Sequence, residues 1–108
     1  MKSVFHNRKK RNTEEIIASI LDAARHDVTK TRIMYVSYLS FGQLQRYISY
    51  VLETRLMNLD STSNKYRTTT KGLEFLSRFE EVHSIENNII EKRRSLSAIL
   101  ESRDGQRY

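Results

Sequence analysis

The run SFGQLQRYISYVLE at residues 40–53, followed by TRLMNLDSTSNKYRTTTKG at 54–72, decides how the chain folds. Ser40 stands where a helix N-cap belongs, with Gln43 at the capping-box position and Gly42 inside the first turn. Leu44, Tyr47, Ile48, Val51 and Leu52 then make one apolar stripe at helical spacing. The other face carries Gln43, Gln45, Arg46, Ser49, Tyr50 and Glu53, whose amides, guanidinium and phenol can read base edges. After Leu56 the period changes to two. Met57 and Leu59 alternate with Asn58 and Asp60, Ser61–Asn64 reads as a turn, and the β-favouring residues from Lys65 to Thr69 alternate again, so 57–69 is a β-hairpin. Lys65 and Arg67 belong to its second strand.

Upstream, the basic cluster Arg8, Lys9, Lys10, Arg11 precedes Asn12, an N-cap with Glu15 three residues on. Ile16, Ile17, Ile20, Leu21 and Ala24 follow on one helical face, predicting a first helix to about Arg25. After a turn at His26–Val28, Thr29 or Thr31 caps a short second helix ending near Tyr38 or Leu39. Downstream no breaker occurs from Thr70 to about Arg103, which predicts a helix about 50 Å long. Along it Phe75, Phe79, Val82, Glu86, Ile89, Arg93, Leu96, Leu100 and Arg103 alternate spacings of four and three, a heptad seam flanked by Ile85, Ile90 and Ile99. The expected division is a basic flexible leader over 1–11, a globular unit over 12–72, a coiled-coil dimerisation helix over 73–103 and a frayed tail over 104–108.

The 108 residues carry a net charge of +6, with 38% apolar and 30% charged side chains. That supports one modest core, and a large enzyme fold is excluded by size. Residues 1–72 hold 13 basic and 6 acidic side chains, net +7, whereas 73–108 hold 6 and 7, net −1. The front of the molecule therefore faces a polyanion. The absence of cysteine excludes disulfides, zinc fingers, thiol catalysis and iron–sulfur chemistry. The opening MKSVFHNRKKRN lacks the apolar run of a signal peptide, and no stretch is long enough to span a bilayer, so a soluble cytoplasmic protein is expected.

Three helices, a hairpin and a further helix form the order of a winged helix-turn-helix domain, mainly α with a small β-hairpin. In that arrangement the third helix enters the major groove of double-stranded DNA and the wing lies along the backbone. Gln43, Gln45, Arg46, Ser49 and Tyr50 are the candidate readout residues; Thr31, Arg32, Lys65 and Arg67 are candidate phosphate contacts. Arg8–Arg11 serve either as an arm reaching an adjacent groove or as a solvated leader. The alternative for the whole unit is a protein-docking winged helix with a solvated polar face on the third helix.

Lys30-Thr31-Arg32-Ile33-Met34-Tyr35, Leu39-Ser40-Phe41, Leu44, Tyr47 and Ile48, then Tyr66-Arg67-Thr68-Thr69-Thr70-Lys71-Gly72 and Phe75-Leu76, together resemble a known pattern. It is similar to the archaeal winged-helix family that ends in a long coiled-coil helix, whose members include small abundant DNA-binding proteins of Sulfolobus and many predicted transcription regulators. The resemblance covers about residues 12–100. It implies DNA binding and homodimerisation through an antiparallel coiled coil; the heptad pattern by itself leaves orientation open. The basic leader, and Glu86 and Arg93 within the seam, depart from the pattern.

Tyr35, Tyr38 and Tyr47 lie beside aliphatic residues, which favours core packing over stacking on nucleic acid, whereas Tyr50 faces out. His6, His26 and His83 are scattered and show no metal-ligand spacing. Thr68–Thr70 is accounted for by a strand end and a helix cap. There is no Gly-rich phosphate loop, no His-Glu helix motif and no nucleophile beside a base, so neither an enzyme nor a cofactor is expected. A transcription regulator and an architectural, nucleoid-associated chromatin protein share all these features and differ in whether the third helix discriminates bases. The sequence assigns no target site and no small-molecule effector.

Overall fold

The computed structural model describes residues 11–102; Arg8, Lys9, Lys10, His6, Arg103 and the 104–108 tail lie outside them. The order is α1 (Thr13–Ala23), α2 (Lys30–Ser37), α3 (Phe41–Glu53), β1 (Met57–Asp60), β2 (Lys65–Thr68) and α4 (Thr70–Glu101), as the sequence predicts.

Local chemistry starts each helix. Asn12 Oδ1 accepts from the Glu15 amide at 2.8 Å while Glu15 Oε1 accepts from the Asn12 amide at 3.0 Å. Ser40 and Gln43 make the same reciprocal pair at the start of α3, satisfying amides that the helix itself cannot. Of the two candidate caps on α2, Thr29 is the one used, accepting from the Arg32 amide at 3.2 Å. Thr31 sits exposed one residue inside the helix. Thr69 caps α4 through Gly72 and donates its hydroxyl to the Arg55 carbonyl at 2.7 Å. The first helix stops at Ala23, two residues short of its expected end.

Ile16, Ile17, Ile20 and Leu21 of α1 meet Ile33 of α2, Leu44, Ile48 and Val51 of α3, and Leu76 from the first turns of α4. The hairpin closes this core with Met57 and Tyr66. Its strands pair antiparallel, Met57 opposite Thr68 and Asp60 opposite Lys65. Tyr66 and Thr68 face inward while Lys65 and Arg67 face out, the alternation a half-buried strand requires. The hairpin is tied at its base: Val28 and Tyr66 exchange amide–carbonyl bonds, and the Thr68 amide and hydroxyl reach Ala24 and Leu21 carbonyls at 2.8 and 2.6 Å.

Gly72 lies where the hairpin, the α3 exit and α4 converge. A Cβ there would collide with the Leu56 carbonyl oxygen and the Thr68 methyl, whereas a Cβ on Gly42 meets nothing. Gly72→Ala is therefore expected to cost about 1–3 kcal/mol of stability in urea unfolding. Gly42→Ala, which only removes backbone freedom from a helix, is expected to gain about 0.5–1 kcal/mol. Equal effects at the two sites would contradict this packing.

Two tyrosines depart from expectation. Tyr47 is half-buried against the core, but Tyr35 and Tyr38 are exposed rather than packed. The inward positions of α2 are Ile33 and Ser37, which turns Tyr35 to the opposite side. From Ser84 to Glu101 every residue of α4 is exposed in the single chain, including Ile85, Ile89, Ile90, Leu96, Ile99 and Leu100. Phe79 differs from these: it packs on its own core and stacks with Phe75 and His83 at 6.4 and 5.8 Å.

Candidate nucleic-acid interface

α3 buries Leu44, Ile48 and Val51 and leaves Gln45, Arg46, Ser49, Tyr50 and Glu53 exposed. These residues recur at three- and four-residue intervals, so the fold presents them on one side of a rigid helix. From Val28 to Leu52 the chain carries Lys30, Arg32 and Arg46 and no carboxylate. The cations of that stretch attract phosphate, opposed by Glu53 at the end of the same face of α3.

Gln43 is a partial exception to its expected role. Its Oε1 accepts the Ser40 amide at 3.0 Å, so bidentate recognition of adenine, which needs both ends of the amide, would break the cap. Arg46 and Gln43 line one groove with Arg11, Asn12, Tyr38 and Tyr47. Arg11 is anchored there, donating from Nη2 to the Ser37 and Tyr38 carbonyls at 2.8 and 3.3 Å, where it neutralises the C-terminal end of α2. It thus stands fixed at the edge of what the sequence reads as a flexible leader. Thr31 and Arg32 are exposed in the first turn of α2, Arg32 over a cleft that also contains Asp22.

On the wing, Lys65 and Arg67 share the outward face of β2. Arg67 Nε donates to Asp27 Oδ1 at 2.8 Å, a pair with both side chains more than half exposed. The hydrogen bond from Arg67, and then its charge, hold the Asp27 carboxyl below its ordinary range and raise the guanidinium. The pair is complete at neutral pH and is lost as pH falls through the depressed Asp27 value. This contact links residues 40 apart, and no local pattern in the sequence signals it. Lys71, to which the sequence reading gave no site role, donates to the Thr54 carbonyl at 2.8 Å and closes the end of α3. Among the described residues no group of three metal-ligating side chains occurs, and no helix is long and apolar enough to cross a membrane.

A family model for the winged helix-turn-helix matches residues 10–87, which spans α1, α2, α3, the hairpin and half of α4. The chain belongs to the winged helix-turn-helix family. This winged helix is 35% identical over 74 residues to an uncharacterised protein of Methanocaldococcus jannaschii, a match covering 68% of this chain and 34% of that protein. The chain thus spans about a third of that relative's length. Among solved structures it is similar to Sso10a-2, a DNA-binding protein from Sulfolobus solfataricus, with a TM-score of 0.75 and 23% identity. That superposition covers 85% of this winged helix and 99% of Sso10a-2, so the likeness of fold extends over the long α4 as well.

Proposed function

We propose that the protein is a dimeric double-stranded DNA-binding protein of the cytoplasm, acting as a transcription regulator, with α3 in the major groove and the 57–69 hairpin as wing. Residues 12–72 form the DNA-binding unit and 73–103 the dimerisation helix. The observation that carries the reading is the exposed face Gln45, Arg46, Ser49, Tyr50 of α3, which lies within the carboxylate-free stretch from Val28 to Leu52. The similarity to Sso10a-2, named a DNA-binding protein, supports it. Arg46 reads a base edge; Lys65, Arg67, Thr31 and Arg32 position the backbone. Arg8, Lys9 and Lys10 add phosphate neutralisation next to the anchored Arg11.

A second reading, an architectural chromatin protein with little sequence preference, is favoured by one observation: the capping bond occupies Gln43 and shortens the list of bidentate readers. Competition of a labelled duplex by random duplex decides between them. A regulator resists random competitor by about 10³-fold or more, whereas an architectural protein yields to it mole for mole. A protein-docking winged helix would show no salt-dependent DNA affinity at all.

Asp27 holds Arg67 against the wing through Nε, so a phosphate taken by the remaining guanidinium N–H groups meets a carboxylate beside it. Asp27→Asn is expected to tighten duplex binding and to steepen its salt dependence by about one charge. An unchanged slope would remove Arg67 from the contact set.

Dimerisation follows from the exposed aliphatic side chains of α4 between Val82 and Leu100. Charge order supports the antiparallel arrangement. Residues 79–91 carry Glu80, Glu81, Glu86 and Glu91 without a Lys or Arg, and Lys92, Arg93 and Arg94 follow directly. Parallel helices would set like charges side by side, while antiparallel ones bring the basic run of each toward the acidic stretch of the other.

A further inference from the structure

The charged residues of α4 sort into two kinds. Arg78 pairs with Glu74 and Arg94 with Glu91 along the helix, and Arg25 of α1 reaches Glu80. Glu86 and Arg93 are exposed and make no ion pair among the described residues. Their neighbours explain this. Val82, His83, Ile89 and Ile90 stand three and four residues from Glu86, and Ile89, Ile90, Leu96 and Ser97 stand so from Arg93. Neither therefore has a Lys, Arg, Asp or Glu of opposite charge at the spacings where helical side chains meet. The two lie two turns apart in the heptad seam, among the exposed aliphatic side chains of Val82, Ile85, Ile89, Ile90 and Leu96.

We propose that each Glu86 pairs with Arg93 of the partner subunit, giving two reciprocal ion pairs that admit a second, antiparallel copy of this chain to the seam and reject other partners. The inference rests on the dimer proposed above and assigns what selects it. The seam alternates two kinds of position, Phe79, Glu86, Arg93 and Leu100 in one, Val82, Ile89 and Leu96 in the other, and antiparallel helices set one kind against the other. In the two registers that keep the most seam in contact, Arg93 of the partner subunit stands three or four residues along from Glu86, about 4.5–6 Å at 1.5 Å per residue, within reach of both long side chains. Parallel helices instead set Glu86 against Glu86 of the partner subunit and Arg93 against Arg93 of the partner subunit, where like charges repel. A partner with aliphatic side chains at these positions leaves a carboxylate and a guanidinium unpaired in an apolar seam, which costs more than either a matched ion pair or an all-apolar contact.

The test is sedimentation of the full chain as wild type, Glu86→Arg, Arg93→Glu, the swap Glu86→Arg/Arg93→Glu, and an equimolar mixture of the two single variants. All the new residues are good helix formers at positions exposed in the single chain, and a circular-dichroism melt checks that each variant folds. Each single variant replaces two opposite-charge contacts by two like-charge ones and is expected to dimerise at least about tenfold more weakly. The swap and the mixture restore both pairs and are expected to recover the wild-type affinity. A monomeric wild type contradicts the dimer itself, whereas a dimeric wild type whose single variants associate equally well overturns the ion pairs alone. Weakening that neither the swap nor the mixture repairs overturns them too. So does a mixture tighter than the wild type with the single variants unchanged, which is the signature of parallel helices. Subunit exchange between wild type and Glu86→Leu/Arg93→Leu is expected to give mixed dimers well below their statistical share, and a statistical distribution overturns the rejection of other partners.

Discussion

Ile89→Asp is expected to convert a particle of about twice the 12.8 kDa chain mass into a monomer at micromolar concentration, measured by sedimentation. Ile89 stands near the middle of the stretch from Val82 to Leu100 in which large aliphatic side chains face solvent, Leu100 at 78% exposure. Each such side chain gains about 1.5–3 kcal/mol on full burial, and the domain core reaches only the start of α4. Burying an unpaired carboxylate in their midst reverses the gain. In the antiparallel dimer proposed above the winged helices would lie at opposite ends, farther apart than the 34–36 Å or so of one DNA turn, and the dimer would span separated sites or join two duplexes. The monomeric variant should also lose about 10²-fold or more in DNA affinity, because two linked contacts become one. A wild type that sediments as a monomer would contradict both the seam and the geometry built on it.

Arg46→Ala is expected to cost about 1–3 kcal/mol of duplex binding and to relax preference at one base pair. Lys65→Ala, on the wing, should weaken all duplexes alike and lower the salt slope by about one. The contrast separates a residue that specifies from one that positions, which a single affinity cannot do. Gln45→Ala should behave as Arg46→Ala does, whereas Gln43→Ala should lower helix stability first, since its amide closes the cap on α3. Equal binding by a variant with Ala at 43, 46, 65 and 67 would dismiss this assignment of the surface.

What the sequence makes legible here is what depends on near neighbours. Both capping boxes join residues three apart, the two-residue period marks the hairpin, and the breaker-free run from Thr70 marks α4. The seam pattern is also local, although it counts Phe79 with residues beyond it; in the fold that ring turns to its own domain. Tyr35 and Tyr38 are misread because Met34 and Val36 beside them suggest an apolar face, while α2 turns Ile33 and Ser37 inward. In a helix of eight residues, a hydroxyl at an inward position blurs the periodicity that would have shown this. The Asp27–Arg67 pair and the hold of Arg11 on α2 are created by tertiary folding, across 40 and 26 residues, and leave no trace in spacing. The candidate site was therefore legible as a face of α3 but not as a network.

The most direct test of the central claim is a titration of the wild-type chain against a duplex long enough for both winged helices, repeated from about 50 to 200 mM salt. Two basic units holding six to ten phosphates or so between them should lose about 10³–10⁵ in affinity across that range, with a linear log–log dependence. Affinity that is absent, or flat in salt, would contradict duplex DNA binding and leave the fold as a docking module.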